Sequence, residues 1–378
     1  MDKTADNPTI VFCINELDVG GAEKALVRIA SGLHQRNRDV RVISLRDAGP
    51  LTEPLQQQGI PVMALGGGGF ADIRIWWRLR TAFRQLQPQI VVSFLHQANI
   101  AARIAAWGTG IPVVSGIRVA DRRRWVIASD RLTACCTVQY VAVSSHVADT
   151  HAQLCRLPAD RITAIPNGVD VPAESAGRTN SSSATSSDIG PELLFVGRLT
   201  PQKAPLDLLT AFASLPEAVR DSTRLTFVGD GELRAELDAA VQKMGLTRQV
   251  ELVGQADDVP QRMRSATALV LPSHWEGMPN VVLEAMACGL PIVATAVDGT
   301  LDLLEADKTG WLVKPGDPAA LSRAMADCLQ HDSLRRKYAL AAQNVARTRF
   351  SWESVVDRYE QLLTSLLSPA ASPSDGEM

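Results

Sequence analysis

The sequence predicts an α/β protein made of two doubly wound parallel-sheet domains that face each other across a cleft. Three observations predict this class. Short apolar runs alternate with helical patterns, the alternation restarts in the second half, and a Ser- and Thr-rich stretch separates the halves. A length of 378 residues suits about two domains, and 46% apolar residues suffice for ordinary cores.

The first half, residues 1–172, alternates strand and helix. Apolar residues recur at helical spacing from Ala22 to Leu33, directly after the first strand. Because parallel neighbours need crossover connections, this rhythm indicates a sheet covered by helices on both faces. Strands are predicted at residues 10–14, 40–45, 60–65, 90–94, 111–115, 140–144 and 162–165.

The second half repeats the rhythm after a change in composition. Residues 173–190 are rich in Ser and Thr and poor in large apolar side chains, which predicts a flexible linker. A second domain is expected over 191–350, then a helix over 351–367 and a disordered tail over 368–378. The second set of strands is predicted at residues 193–196, 225–228, 250–253, 268–271 and 292–295.

Charge and cysteine content argue against several classes. A net charge of −3 gives no reason to expect nucleic-acid binding. None of the 6 cysteines forms a Cys-x-x-Cys pair and no His cluster completes a zinc pattern, so we expect reduced thiols in a cytoplasmic protein. The N-terminus lacks the apolar core of a signal peptide, and no apolar run approaches about 18 residues, so we expect no membrane-spanning segment.

The most informative segment covers residues 273–289 and lies between two predicted strands. Pro279 suits the first turn of a helix, so Glu276 is predicted in a loop at the carboxyl end of a strand. Glu284 is predicted inside the helix that follows. A loop that opens onto a helix start can bind an anion, and carboxylates beside it can hold hydroxyl groups. This pattern indicates a nucleoside-diphosphate sugar.

A second cluster follows the strand predicted at 193–196. Gly197 permits a sharp turn, and Arg198 and Lys203 then project from one loop. A guanidinium fork and an ammonium group suit the two phosphates of a leaving nucleoside diphosphate. Alone, the pair is equally well explained as solvated surface cations; together with segment 273–289, a binding function is favoured. No Asp-x-Asp pair occurs, so we expect no metal ligands here and a diphosphate neutralised by cationic side chains.

Two features of the first half give weaker signals. Gly20 and Gly21 follow the first strand and open the first helix, where backbone amides can approach a ligand, but they form neither a Gly-x-Gly-x-x-Gly nor a Walker sequence. His96 follows the strand predicted at 90–94. A lone His is more often a structural hydrogen-bonding group, but its place at a strand end makes it a catalytic candidate.

With these motifs, the chain resembles the family 4 glycosyltransferases, retaining enzymes of the GT-B fold. The resemblance covers residues 8–367 and rests on the turn at 20–23, the segment 165–170, the loop at 196–203 and the block at 276–295. It implies two Rossmann-like domains, the first binding the acceptor and the second the nucleotide-sugar, with the last helix returning to the first domain. It implies neither a metal nor a cofactor.

The resemblance also implies roles for individual residues. Arg198 and Lys203 would bind the diphosphate. Glu276 would hold hydroxyls of the donor sugar, Glu284 would hold the ribose, and His96 would lie near the reacting face of the sugar. Backbone groups would line the donor at Gly20, Gly21, Gly277, Met278, Asn280 and Val281.

One departure from the family pattern concerns the strand predicted at 111–115. Many members carry a His after it, whereas this chain has Gly116, Ile117 and Arg118. Arg118 therefore becomes a candidate contact for the acceptor or a phosphate in place of a second imidazole.

The stretch from residue 70 to residue 135 is basic, with ten Arg and three acidic residues. Basic and aromatic residues together suit an anionic membrane surface, and hence a lipid-linked acceptor. A helix packed by its Trp residues, with solvated Arg outside, explains the pattern equally well. The residues concerned are Trp76, Trp77, Arg78, Arg80, Arg122, Arg123 and Arg124.

The sequence thus predicts a retaining, metal-independent glycosyltransferase, cytoplasmic and in contact with the inner face of the plasma membrane if the membrane interpretation holds. It would move a hexose or N-acetylhexosamine, from a UDP-sugar as first choice and GDP-mannose as second, to a hydroxyl of a saccharide or lipid-linked saccharide in polysaccharide or glycolipid synthesis. Two alternatives stay open. One is a sugar-nucleotide epimerase of similar architecture, and the other is a nucleotide-sugar-binding protein without catalysis.

Overall fold

A computed structural model describes residues 8–68, 72–171 and 190–368. The linker predicted at 173–190 and the tail predicted at 368–378 lie outside these residues, except for their single end residues 190 and 368. The described residues form two compact units. The first unit contains the chain up to Asn167 and from Trp352 onward, and the second unit contains Gly168–Ser351.

In its described part, the first unit has a seven-stranded parallel sheet of order β3-β2-β1-β4-β5-β6-β7. The order reverses between β1 and β4, as in a Rossmann-like sheet. The strands are β1 (Thr9–Ile14), β2 (Asp39–Ser44), β3 (Val62–Ala64), β4 (Ile90–Phe94), β5 (Val113–Ile117), β6 (Gln139–Ala142) and β7 (Ile162–Ala164).

Helices cover both faces of this sheet because its strands are apolar on both sides. In β1, Phe12 packs with one cluster of buried residues and Cys13 with another, following the two-residue period of a strand. The helices of this unit are α1 (Gly21–Gln35), α2 (Thr52–Gln57), α3 (Arg74–Leu86), α4 (His96–Ala106), α5 (Arg124–Thr133), α6 (Ser145–Cys155) and α15 (Trp352–Leu367), with 3-10 turns at Ala134–Cys136 and Ala159–Arg161.

The last helix, α15, packs in the first unit against α1. Its residues Val356 and Tyr359 are buried in the same cluster as the α1 side chains. Gly32 of α1 allows this approach, since a Cβ at that position would lie 2.5 Å from a Val356 methyl carbon. Arg36 and Arg38 each contact Glu360 of α15 at 2.8 Å. Both apolar burial and ion pairs therefore dock α15 on the first unit.

The described part of the second unit has a six-stranded parallel sheet of order β10-β9-β8-β11-β12-β13, packed around one continuous core. The strands are β8 (Glu192–Val196), β9 (Arg224–Val228), β10 (Val250–Gly254), β11 (Ala268–Leu271), β12 (Ile292–Thr295) and β13 (Trp311–Val313). The helices are α7 (Pro205–Ala213), α8 (Glu217–Ser222), α9 (Arg234–Lys243), α10 (Val259–Ser265), α11 (Asn280–Ala287), α12 (Asp298–Leu301), α13 (Pro318–Gln330) and α14 (Asp332–Arg349), with a 3-10 turn at Pro201–Lys203.

The predicted fold class of two Rossmann-like parallel-sheet domains is confirmed. The sequence analysis did not predict β13, because its three residues make an apolar run too short to distinguish from a loop. This strand lies at the edge of the sheet and pairs with β12 alone. Within the described residues, every helix is too short or too polar to cross a membrane.

Candidate functional site

The strand order of the second unit brings together the two loops that the sequence analysis singled out. The strand β8 lies between β9 and β11, so the order in which the chain adds strands to the sheet reverses between β8 and β11. The loop with Arg198 and Lys203 leaves the carboxyl end of β8, and the loop with Glu276 leaves that of β11. In doubly wound sheets, such a reversal point is where ligands bind.

A neighbouring turn holds the first of these loops in place. Leu199 accepts a hydrogen bond from the amide of Leu233 at 2.9 Å and donates one to the carbonyl of Asp230 at 3.0 Å. Gly229 has a φ of +134°, and a Cβ there would lie 2.0 Å from the Gly197 carbonyl oxygen. Only glycine fits this position. The 229–233 turn, whose sequence alone indicates no more than a turn and a helix cap, therefore supports the loop that carries Arg198 and Lys203, here called the cationic loop.

Lys203 and Glu276 form an ion pair across the two loops. The Lys203 Nζ lies 2.6 Å from Glu276 Oε1, and the side chains are 14% and 5% exposed. Ser273, fully buried, donates its hydroxyl to the same carboxylate oxygen at 2.5 Å. Thr295, at the end of β12, in turn donates its hydroxyl to the Ser273 carbonyl at 2.5 Å. The carboxylate of Glu276 is therefore fixed by a cation, a hydroxyl and the strand next to its own.

Main-chain bonds join the same two loops. The amide of His274 donates to the Gln202 carbonyl at 2.8 Å, and the Gln202 side chain donates to the Trp275 carbonyl at 3.0 Å. From the other side, Gly299 in α12 lies directly against the loop, because a Cβ there would lie 2.6 Å from the Gly277 oxygen. The sequence analysis gave Ser273 no role of its own, although it begins the segment 273–289. It missed the contact of Gly299, since nothing in the sequence marks which strand ends are neighbours.

The other residues predicted to bind the donor surround this pair. Arg198 is exposed and forms no ion pair with another described residue. The helix α11 begins at Asn280 after Pro279, which lies at its N-cap, and points its first amides toward the loop. Glu284 is exposed on α11. The half-buried residues here are Gly277, Met278, Asn280 and Val281.

In the first unit, the loops after β1 and β4 meet at the corresponding reversal point. Asn15, after β1, accepts a hydrogen bond from the amide of Ala98 in α4 at 2.8 Å. Gly20 and Gly21 lie at the start of α1, where the carboxylate of Glu23 folds back over Gly20. Burial raises the pKa of Glu23, opposed by a hydrogen bond from its own backbone amide. This helix start is thus covered by a carboxyl group of the chain itself.

His96 is the first residue of α4. The residue before it, Leu95, has a φ of 73° and a ψ of 151°, a region that non-glycine residues avoid. Such a conformation costs on the order of 1–3 kcal/mol and is concentrated at functional sites. The strained residue Leu95 therefore lies directly before His96, whose catalytic role stays a prediction.

The structure also places the remaining candidates of the first unit. The guanidinium of Arg118 stacks over the Phe94 ring at 4.5 Å and donates to Asn167 Oδ1 at 2.5 Å. Burial lowers the pKa of Arg118. Its Nε and Nη2 atoms are buried and its Nη1 already donates to Asn167, so a contact with acceptor or phosphate remains a prediction.

In the basic stretch from residue 70 to residue 135, some of the Trp and Arg side chains are exposed and others support the fold. Trp76 packs against the core, whereas Trp77 is 70% exposed. Arg78 donates to the carbonyls of Leu65 and Gly66, and Arg80 to carbonyls at the end of α4, so both guanidinium groups support main-chain structure. Farther along the chain, Arg122, Arg123 and Arg124 are exposed.

One group of described residues offers metal-ligand atoms close together. Atoms of Asp130, His151 and Cys155 lie within 4.8 Å of one another. Arg103 already contacts the carboxylate at 2.5 Å, and burial raises the pKa of Cys155 to about 11. Because a thiolate is the form that binds metal, these residues fit a buried polar network better than a metal centre.

Two doubly wound parallel-sheet units, with a cationic loop and a carboxylate at one reversal point, define a class of α/β protein whose site suits an anionic, hydroxyl-bearing ligand. The profile of group 1 glycosyl transferases matches residues 179–345, and the profile of glycosyltransferase family 4 matches residues 19–172. The chain belongs to glycosyltransferase family 4 and is an enzyme of the glycosyltransferase class.

Two relatives span most of the chain. The UDP-Gal:alpha-D-GlcNAc-diphosphoundecaprenol alpha-1,3-galactosyltransferase of Escherichia coli is 28% identical over 325 residues, 79% of this chain and 82% of that protein. The phosphatidyl-myo-inositol mannosyltransferase of Mycobacterium leprae is 28% identical over 374 residues, 94% of this chain and 97% of that protein.

Among solved structures, Anabaena Alr3699/HepE in complex with UDP matches with a TM-score of 0.81 at 22% identity, covering 94% of this chain and 100% of that one. This likeness shows the fold, which is GT-B.

Proposed function

We propose that this enzyme transfers a hexose or N-acetylhexosamine from a UDP-sugar, with retention at the anomeric carbon and without a metal. The observation that carries the proposal is the Lys203–Glu276 pair, fixed at the reversal point beside the start of α11. A cation, helix amides and a carboxylate at one place suit a diphosphate joined to a hydroxyl-rich sugar.

The contacts support distinct roles. Lys203 and the exposed Arg198 would stabilise the negative charge of the departing diphosphate, which is the role that preorganised cations play in group transfer. Glu276 would accept hydrogen bonds from sugar hydroxyls, and Glu284 from the ribose. We assign donor binding to the second unit and acceptor binding to the first.

The names of similar proteins support the choice of substrates. The Escherichia coli relative is named for a UDP-Gal donor and a diphosphoundecaprenol acceptor, and the Mycobacterium leprae relative for a phosphatidyl-myo-inositol acceptor. Anabaena HepE is described with UDP and with UDP-glucose. A UDP-linked donor and a lipid-linked saccharide acceptor are therefore our first choices, with GDP-mannose second.

A donor screen tests the nucleotide and the metal together. Purified enzyme is incubated with UDP-, GDP- and ADP-sugars, with and without EDTA, and nucleotide release is measured. We expect release of UDP from UDP-glucose, UDP-galactose or their N-acetyl forms, undiminished by EDTA. Release of only GDP, or loss of activity with EDTA, would contradict this choice. The anomeric configuration of the product, read by NMR, tests retention.

We also propose that the first unit contacts anionic membrane. The support is an exposed apolar set beside Arg residues, namely Ile73, Trp77 and Trp107 on the α3–α4 side and Trp125 and Leu132 on α5. Such a pattern binds interfaces through apolar insertion and charge. The enzyme would then be cytoplasmic and peripheral on the inner face of the plasma membrane.

Liposome flotation tests the membrane contact. We expect the protein to float with vesicles that contain anionic lipid and to remain below with neutral vesicles. Replacement of Trp77 by Ser should weaken flotation. The matched control is Leu340→Ser, which removes a side chain that is 67% exposed on α14 of the second unit. Equal flotation of both variants, or none with anionic lipid at low salt, would contradict the proposal.

A further inference from the structure

A line of polar side chains runs from His96 into the interior of the first unit. His96 Nδ1 lies 3.6 Å from Asp130 Oδ2, and Arg103 Nη1 lies 2.5 Å from Asp130 Oδ1. The side chains become more buried along this line, from 21% exposed at His96 to 3% at Asp130 and 0% at Arg103. Asp130 thus lies between a partly exposed imidazole and a fully buried guanidinium.

Arg103 is held rigidly, so it fixes Asp130. Its Nε donates to the Ser115 hydroxyl at 3.0 Å and its Nη1 donates to the Thr133 hydroxyl at 3.0 Å. The guanidinium also lies over the Tyr140 ring, 5.0 Å from its centroid. A buried carboxylate with such a partner stays ionised. Burial alone would raise the pKa of Asp130, but the neighbouring His96 and the charge of Arg103 outweigh it and lower the pKa to about 2.

Two further side chains contact the His96 imidazole. His96 Nε2 lies 3.1 Å from the Ser129 hydroxyl, and the Trp125 ring packs edge-on at 5.4 Å between centroids. Leu95, directly before His96, has the positive φ described above. Packing on one side and strain on the other leave the ring little freedom.

We propose that Asp130 is a positioning residue that holds His96 with its proton on Nδ1, so that Nε2 accepts a hydrogen bond from a hydroxyl of the sugar substrate. An ionised carboxylate only accepts hydrogen bonds, so its charge 3.6 Å from Nδ1 favours the tautomer with the proton on that nitrogen. With the proton on Nδ1, Nε2 accepts from the Ser129 hydroxyl in the protein without substrate. A sugar hydroxyl, which is chemically the same group, would take that place while Ser129 donates to the Val126 carbonyl instead. The proposal rests on the proposed glycosyltransfer, because it gives His96 a task in that reaction.

A nucleophilic Ser129 is the competing interpretation of a Ser, His and Asp in contact. Ser129 lies inside α5, and its single hydroxyl proton has two acceptors within reach, the Val126 carbonyl of the same helix at 2.9 Å and His96 Nε2 at 3.1 Å. A hydroxyl that can donate to its own helix is a poor candidate for activation by a base. The Ser129→Ala variant should therefore keep sugar transfer and lose no more than a few fold.

The tautomer of His96 can be measured without any activity. The chain has 6 His, and in protein labelled with 15N-histidine the His96 signals are those absent from His96→Gln. At about pH 8, where ordinary imidazoles are neutral, we expect wild-type His96 in the Nδ1-protonated form. In Asp130→Asn, whose amide can also donate, we expect a mixture. A wild-type ring protonated on Nε2 would overturn the proposal, whatever the enzyme's substrate.

Kinetics give the second test. Asp130→Asn should lower kcat on the order of 10²-fold, as small misplacement of a reacting group does, with a smaller change in the KM for donor. In the His96→Gln background, the same substitution should have no further effect on kcat. A full effect in that background would show that Asp130 acts only through general structure. The control Thr133→Val removes a hydrogen bond to Arg103 but keeps the charge of Asp130, and it should retain kcat within a few fold.

Discussion

The amine of Lys203 lies 2.6 Å from the carboxylate of Glu276, and this contact joins the loops that leave two neighbouring strands. Both side chains are largely buried, so each charge depends on the other in the protein without substrate. A bound diphosphate would attract Lys203 and sugar hydroxyls would contact Glu276. The pair therefore keeps both groups oriented before the donor arrives, which reduces the reorganisation that accompanies binding.

Removal of the Lys203 charge should slow turnover of the donor. For Lys203→Met, we expect kcat/KM for the donor to fall on the order of 10²–10³-fold, by analogy with the loss of one preorganised donor. The matched control is Lys308→Met, which breaks an exposed pair with Glu305. Near wild-type turnover in Lys203→Met would contradict the proposed diphosphate contact.

The energetic coupling between Lys203 and Glu276 can be measured separately from activity. Either Lys203→Met or Glu276→Gln alone leaves the other residue's charge buried without its ion-pair partner. We expect each to destabilise the second unit by about 3–5 kcal/mol. The double variant should recover part of this loss, with a coupling of about 0.5–3 kcal/mol in a denaturation cycle. Strictly additive losses would show that the two charges do not interact.

Arg198 and Lys203 illustrate what the sequence could predict. Their place after a strand, and that of Glu276 after another, followed from apolar runs and turn residues, because a parallel sheet puts all such ends at one edge. The sequence did not predict that these two loops are adjacent. The chain passes through β9 and β10 between β8 and β11, and only the assembled sheet shows that β8 and β11 pair directly.

Asp130 shows a different limit of prediction from the sequence. On the sequence it is one charged residue in a polar helix next to Arg131, and a solvated surface charge is the natural interpretation. Its burial arises because α4 and α5 pack together and supply Arg103 from one helix and Thr133 from the other. Such long-range packing leaves no local pattern in the sequence.

Gly299 should tolerate no side chain. In Gly299→Ala, the Cβ would lie 2.6 Å from the Gly277 carbonyl oxygen and 2.8 Å from that of Glu276, so the donor loop must shift. We expect about 1–3 kcal/mol of destabilisation, typical of overpacking, together with a raised KM for donor. The control is Gly68→Ala, where a Cβ would meet nothing closer than 3.9 Å. Unchanged donor kinetics in Gly299→Ala would show that this loop does not contact the donor.

Asp130 should make the first unit sensitive to acid. Although burial opposes ionisation, its contacts with His96 and Arg103 lower the pKa of Asp130 to about 2, below the ordinary value of 3.8. The ionised form is thus favoured in the folded protein. The contribution of the ionised Asp130 to the free energy of unfolding is complete above pH 3.8 and is lost as the pH falls toward 2. A shift of this size corresponds to on the order of 2 kcal/mol.

Urea denaturation of wild type and Asp130→Asn between about pH 7 and pH 2.5 measures this contribution. The difference in the free energy of unfolding should shrink as the pH falls below about 4. Carboxylates elsewhere, such as Asp72 and Glu360, whose pKa values are also lowered, are common to both proteins and cancel in the difference. A difference that stays constant down to pH 2.5 would mean that Asp130 is protonated in the folded protein or that its charge makes no net contribution, and it would remove the electrostatic basis for fixing His96.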